Sequence, residues 1–149
     1  MTVASRQPVR THFASLLDTA LVGTGLPAQA VYAYLVGDFG GASPVVVVGS
    51  GPIDRRIAGL GNCWNSYITL NVYVFVLYAD PANGWTESDA SDAIDAVEAI
   101  IADTTINNRN ANGYWGNGKY LGPTMPDVVA IGGIPYQREL IKVQFEVIT

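Results

Sequence analysis

The stretch YITLNVYVFVLYA, residues 67–79, decides the fold. Its even-numbered positions from 68 to 76 are all aliphatic, whereas its odd-numbered positions begin polar and end aromatic. A period of two residues is typical of a β-strand, because successive side chains point to opposite faces of a sheet. The stretch therefore predicts a long strand with its aliphatic face toward the core. Since strands usually have about 5–6 residues, we expect this one to project beyond a compact sheet and to meet a neighbour.

Shorter runs of β-branched and aromatic residues predict the other strands. The predicted strands cover residues 30–35, 44–48, 128–131 and 136–148. A turn followed by a further short polar strand is predicted within residues 49–56. Gly132 and Gly133 join the last two strands as a hairpin. In the final strand, apolar residues alternate with Lys142, Gln144 and Glu146, so we expect one face in the core and the other in water or shared with a partner.

Two segments have the 3.6-residue period of a helix. The first carries apolar residues between Val9 and Leu21 and ends at Gly23. The second runs over 86–103, and Thr86 with Asp89 resembles a capping box at its start. Adjacent strands joined by short turns, with two helices, predict one α+β domain over residues 1–149. We expect a twisted, mainly antiparallel sheet with both helices packed against it and a C-terminal hairpin.

Residues 104–126 are rich in Asn and Gly, and we expect them to form one long loop. Irregular loops longer than about 12–15 residues are usually functional or disordered. Three aromatic residues, Tyr114, Trp115 and Tyr120, lie in this loop. Because aromatic side chains are favoured anchors of interfaces, we expect the loop to become ordered against a partner.

Composition excludes several classes of protein. With 49% hydrophobic and 14% charged residues, the chain of 149 residues is not a disordered sequence. A mean hydropathy of +0.22 suggests that a partner covers part of its surface. A net charge of −5, with only eight scattered basic residues, excludes a sequence-independent grip on nucleic acid. We find neither a signal peptide nor an apolar run of membrane-spanning length, and expect the protein in its producer's cytoplasm until it is assembled.

No catalytic, cofactor-binding or metal-binding pattern is present in the sequence. The single histidine, His12, has no neighbouring metal ligand, and no serine lies in a nucleophile elbow. Residues 113–119 have the spacing of a phosphate loop, but Tyr120 follows where Ser or Thr is required, so we interpret the match as chance. The lone Cys63 is predicted to be a buried thiol. We therefore expect no cofactor and no enzyme activity.

The order of elements resembles that of the tail terminator proteins of long-tailed, siphovirus-like phages and of related minor tail and neck proteins. The closing VAIGGIPY, residues 129–136, and the charged alternating strand after it carry the resemblance furthest. The other matching features are the opening helix, the Pro-led valine strand at 44–48, Arg55 and Arg56 before Trp64, the long strand at 67–79 and the helix at 86–103.

This resemblance implies a structural virion protein that forms a hexameric ring on the head-proximal end of the tail tube. The ring stops tube polymerisation and offers a surface to the head–tail connector, or stopper protein. Its partners are then other copies of itself, the tail tube protein and the connector, with passive contact to DNA in its lumen and none to a membrane. It is assembled in the host cytoplasm and resides in the virion.

Several residues become interface candidates under this resemblance. Thr69, Asn71 and Tyr73 face an adjacent protomer or the lumen, although packing under a helix of the same chain is an equal alternative for Tyr73 and for Phe75. The loop aromatics reach a neighbouring subunit or the tube. The stripe of Lys142, Gln144 and Glu146 faces either the lumen or solvent. The basic pair Arg55–Arg56 contacts DNA phosphate or a neighbour's carboxylate, or is a solvated pair on an edge strand.

Two alternatives remain open from the sequence. One is a different neck or tail-completion protein of similar architecture. The other is a small ligand-binding or enzymatic α+β domain, with catalytic residues drawn from Asp54, Arg55, His12 or the loop tyrosines.

Overall fold

The computed structural model describes residues 3–59 and 63–149. The elements are α1 (Arg6–Leu21), β1 (Ala30–Tyr32), β2 (Val45–Ala58), β3 (Cys63–Leu77), a 3-10 turn (Pro81–Asn83), α2 (Glu87–Asn107), β4 (Gly116–Pro123), β5 (Asp127–Ile131) and β6 (Ile134–Ile148). The six strands form one sheet in the order β1-β2-β3-β6-β4, and β5 also pairs with β6. Only the β1–β2 pair is parallel among these strands. The predicted α+β class, with a mainly antiparallel sheet and two helices, is confirmed.

The central strand β3 has the predicted alternation. Its even-numbered residues from Ile68 to Val76 are completely buried. The expectation that it projects beyond the sheet was wrong, because β2 and β6 are equally long and pair with it along its length. The predicted turn after residue 48 was also wrong. A bulge between Ser50 and Ile53 lets β2 continue, and Gly51 fits there because a Cβ would lie 2.6 Å from the Thr69 carbonyl oxygen.

Both helices pack on the same face of the sheet and form the main core with it. The α1 side chains of Phe13 and Leu17 are completely buried there, as are Val97 and Ile101 of α2. The capping box of α2 is present as predicted: the Asp89 amide donates to Thr86 Oγ1 at 3.2 Å, and the Thr86 amide donates to Asp89 Oδ2 at 2.9 Å. In the described part of the chain, neither helix is long and apolar enough to cross a membrane.

The opposite face of the sheet is covered at one end only. There Phe39 packs with Phe75 and Tyr136 in a second, smaller core, to which the β5–β6 hairpin also contributes. Phe75 is therefore buried beneath the segment that follows β1, and neither of the two described helices belongs to the cluster that covers it. On the remainder of this face most side chains are partly or fully exposed, although Thr69 is buried at 8% exposed.

The expected long loop at 104–126 was wrong. α2 continues to Asn107, and Gly116–Pro123 form β4 by pairing with the outer edge of β6. Two register shifts and three glycines interrupt the alternation of β4, so its sequence does not show the period of a strand. Pairing with β6 nevertheless satisfies its backbone groups, and this stabilises it as a strand.

Two individual residues also differ from expectation. Trp115 is a core residue and was wrongly predicted as an interface anchor: it is 6% exposed, its ring lies 4.3 Å from that of Phe145, and its Nε1 donates to the Asn108 carbonyl at 2.8 Å. Cys63, predicted to be buried, is exposed because it begins β3 at the far end of the sheet, beyond the helices.

Candidate functional site

The uncovered part of the sheet brings most of the predicted interface residues together. Residues paired directly across neighbouring strands lie on the same face of a sheet. Thr69 is paired with Gln144, Asn71 with Lys142, and Tyr67 with Glu146. We call this surface the open face; it consists of Arg56, Tyr67, Thr69, Asn71, Tyr73, Lys119, Lys142, Gln144 and Glu146. The stripes from β3 and β6 are thus one surface and must share one environment, whether neighbour, lumen or solvent.

Side-chain contacts order the polar end of the open face. Gln144 Nε2 donates to Thr69 Oγ1 at 3.5 Å, and Asn117 Nδ2 donates to Glu146 at 2.9 Å. Arg56 donates to Asp54 at 2.7 Å and its guanidinium lies 5.0 Å from the centre of the Tyr67 ring. These groups form a polar surface, and at its edge Asn117 and Glu146 border a depression that extends over residues 110–117.

The other end of the open face is more apolar. Tyr73 is half-buried and, with Met125 and Leu140, lines a depression of about 220 Å³. The Arg138 guanidinium lies 6.0 Å from the Tyr73 ring and is fixed by two hydrogen bonds to the Asp127 carboxylate, at 3.1 and 2.7 Å. Met125 is 85% exposed, so this end presents an apolar side chain to solvent.

The remaining predicted residues lie away from the open face. Arg55 points to the helix side of the sheet, where its Nη1 donates to Ser66 Oγ at 3.1 Å. Trp64 is two residues before Ser66 in β3, so its side chain lies on the same side of the sheet as that of Ser66. Tyr114 stacks on His12 with ring centres 3.8 Å apart. The Tyr120 hydroxyl donates to the Glu98 carboxylate, and burial, followed by this hydrogen bond, raises the pKa of Tyr120.

Two residues of interest were missed from the sequence. Lys119 was assigned to a loop, yet it is paired with Gln144 on the open face. Glu139 is only 7% exposed on the helix side of β6, and burial, with Glu98 and Asp95 nearby, raises its pKa to about 7. The alternation of the final strand could have revealed its position: Glu139 and the core residue Ile141 are two residues apart, so their side chains lie on the same face of the sheet.

No arrangement for catalysis is found among the described residues. A depression of about 590 Å³ is lined by 110–117 and 146–148, and Glu146 is the one carboxylate in that lining. No group of three potential metal ligands occurs in residues 3–59 and 63–149. The segment 113–119 leads into strand β4, whereas a phosphate loop must open a helix.

No protein-family model matches the sequence, and neither does any curated protein. Among solved structures, the fold is similar to that of a chain in "Virion of native gene transfer agent (GTA) particle". The two chains are 15% identical, the match covers 95% of this chain and 94% of the other, and the TM-score is 0.46. At this level of similarity the match assigns no role to the chain.

Proposed function

We propose that this protein is a structural component of a tailed, phage-like virion, and that it closes the head-proximal end of the tail tube as a ring. The ring stops addition of further tube subunits and presents a surface to the head connector. The observation that carries this function is the open face, a broad, ordered, polar sheet surface that the described residues leave largely exposed. Such a surface suits assembly with other subunits better than chemistry on a small molecule, which requires a concave site.

The two sides of the sheet are chemically different, as ring formation requires. A ring forms when one surface of a subunit binds a different surface of the next, and the rotation between them closes. One side of this sheet is covered by α1 and α2, and the other presents the open face. The protein therefore has two unlike surfaces on opposite sides, which is the arrangement of a head-to-tail contact.

The electrostatic properties fit a passage for DNA. A net charge of −5 gives little attraction for phosphate, so a lumen built from this chain would let DNA pass without holding it. The tube protein and the connector are the expected partners at the two ends of the ring. Another neck or tail-completion role would use the same surfaces, and position in the particle distinguishes the two.

The first experiment is a measurement of native mass over a range of protein concentrations, with negative-stain images of the same samples. We expect a closed ring of about six copies with a central hole. The second experiment removes the protein from assembling particles. Tubes of uncontrolled length that lack heads are expected, because nothing then stops polymerisation; tails of normal length joined to heads would contradict this role.

A further inference from the structure

The outer side of α2 is acidic along its length. The helix contains Glu87, Asp89, Asp92, Asp95, Glu98 and Asp103, and it has no Lys or Arg. At 100° per residue, Asp92, Ala96, Ala99 and Asp103 fall within one narrow stripe, and all four are exposed. Alanine and aspartate side chains are short, so another flat surface can approach this stripe closely.

The open face carries two lysines that the described residues do not neutralise. Arg56 is paired with Asp54, and Arg138 beside the open face is paired with Asp127. Lys119 and Lys142 are exposed, and in the described part of the chain neither has a carboxylate within ion-pair distance. Lys142 on β6 and Lys119 on the neighbouring edge strand β4 are therefore available to an acidic partner, although the carboxylate of Glu146 lies on the same face.

The spacing of the two sets of charges is similar. Asp92 and Asp103 are separated by about 17 Å along the axis of α2, at a rise of 1.5 Å per residue. Lys142, beside Asn71, and Arg56, beside Asn65, are separated by six residues of β3, which is about 20 Å at 3.3 Å per residue. Lys119, paired with Gln144, lies between these two levels. The acidic stripe can therefore lie along the strands with one end at the two unpaired lysines and the other end at the Arg56–Asp54 pair.

We propose that the acidic stripe of α2 in one copy binds the open face of the next copy. This inference rests on the proposed ring and specifies its subunit contact. A second copy is the favoured occupant because one chain carries both complementary surfaces, on opposite sides of the same sheet, where they cannot meet within the chain. The contact is head-to-tail, as a ring requires.

The area involved indicates a weak contact in isolation. The open face from the level of residue 65 to that of residue 73 is about 26 Å long, and four strands are about 19 Å wide, giving about 500 Å². A stable interface usually buries about 800 Å² on each partner. We therefore expect association that needs high protein concentration and weakens with added salt, because the charges lie near water.

Charge reversal tests the contact by sedimentation velocity at protein concentrations up to about 1 mM. Lys119→Glu combined with Lys142→Glu is expected to weaken association roughly tenfold or more, and Asp92→Lys with Asp103→Lys is expected to do the same. Mixing the two reversed proteins should restore association between unlike copies. Asp18→Lys, an exposed reversal on α1, is the matched control.

The possible results distinguish a failure of the proposed contact between α2 and the open face from a failure of the proposed tail function. Rings that form equally well with and without the lysine reversals overturn this contact and leave the proposed ring intact. A wild-type protein that stays monomeric up to about 1 mM also overturns it, while removal from assembling particles still tests the tail role independently. Unchanged association, together with lysine-dependent binding of a short DNA duplex, would instead make the open face a nucleic-acid surface.

Discussion

Replacing Glu139 by Gln should stabilise the protein at alkaline pH and leave it nearly unchanged at acidic pH. Glu139 is 7% exposed and lies opposite Val74 on the helix side of the sheet. Burial is the main cause of its raised pKa of about 7, and the carboxylates of Glu98 and Asp95 on α2 add to it. Neither ion pair in the described residues involves Glu139.

The sign follows from comparing the folded and unfolded states. Below about pH 4.5 the carboxyl is protonated in both states, so it has no effect on the pH dependence of stability. Between about pH 4.5 and 7 only the folded state keeps the proton, so stability falls as pH rises, and the loss is complete above about pH 7. A shift from 4.5 to about 7 corresponds to about 3 kcal/mol at most. Because α2 faces water and its charges are screened, we expect about 1–3 kcal/mol.

Urea denaturation of Glu139→Gln and the wild type at pH 5, 6, 7 and 8 measures this difference. The free energy of unfolding of the variant should exceed that of the wild type by an amount that grows with pH. Asp103→Asn, an exposed carboxylate on the same α2, is the control and should give a constant difference. A gain for Glu139→Gln that is equal at pH 5 and pH 8, or a loss that grows with pH, would refute the reasoning.

Three further substitutions test the packing by urea denaturation. Trp115→Ala should lower the free energy of unfolding by about 3–5 kcal/mol, because it empties a core position; the exposed Tyr114→Ala should cost about 1 kcal/mol or less, and equal losses would show that Trp115 is not in the core. Thr86→Ala should cost about 1 kcal/mol by removing the α2 cap, and an unchanged midpoint would show that the cap contributes nothing. Gly51→Ala should cost about 1–3 kcal/mol because its Cβ meets the Thr69 carbonyl; a neutral result would contradict the close approach in β2.

The sequence alone predicted a strand or a helix correctly where the residues of that segment determine its structure. The strict alternation of 67–79 predicted the central strand, and the Thr86–Asp89 pair predicted the start of α2, because both depend on neighbours only one to four residues away. The α+β class followed from the order of such segments. The candidates from β3 and β6 were also identified by parity, before their pairing was known.

Only the tertiary structure decided which of these residues meet. β4 has no clear period of its own and is a strand because it pairs with β6. Lys119 lies on the open face as a result of this pairing, and Trp115, which directly precedes β4, lies in the core. The register of β6 against β3 joins two stripes into one surface, which no local pattern specifies. The physical reason is that burial and strand pairing depend on residues tens of positions apart, whereas the hydrophobic period of a segment reports only its own two faces.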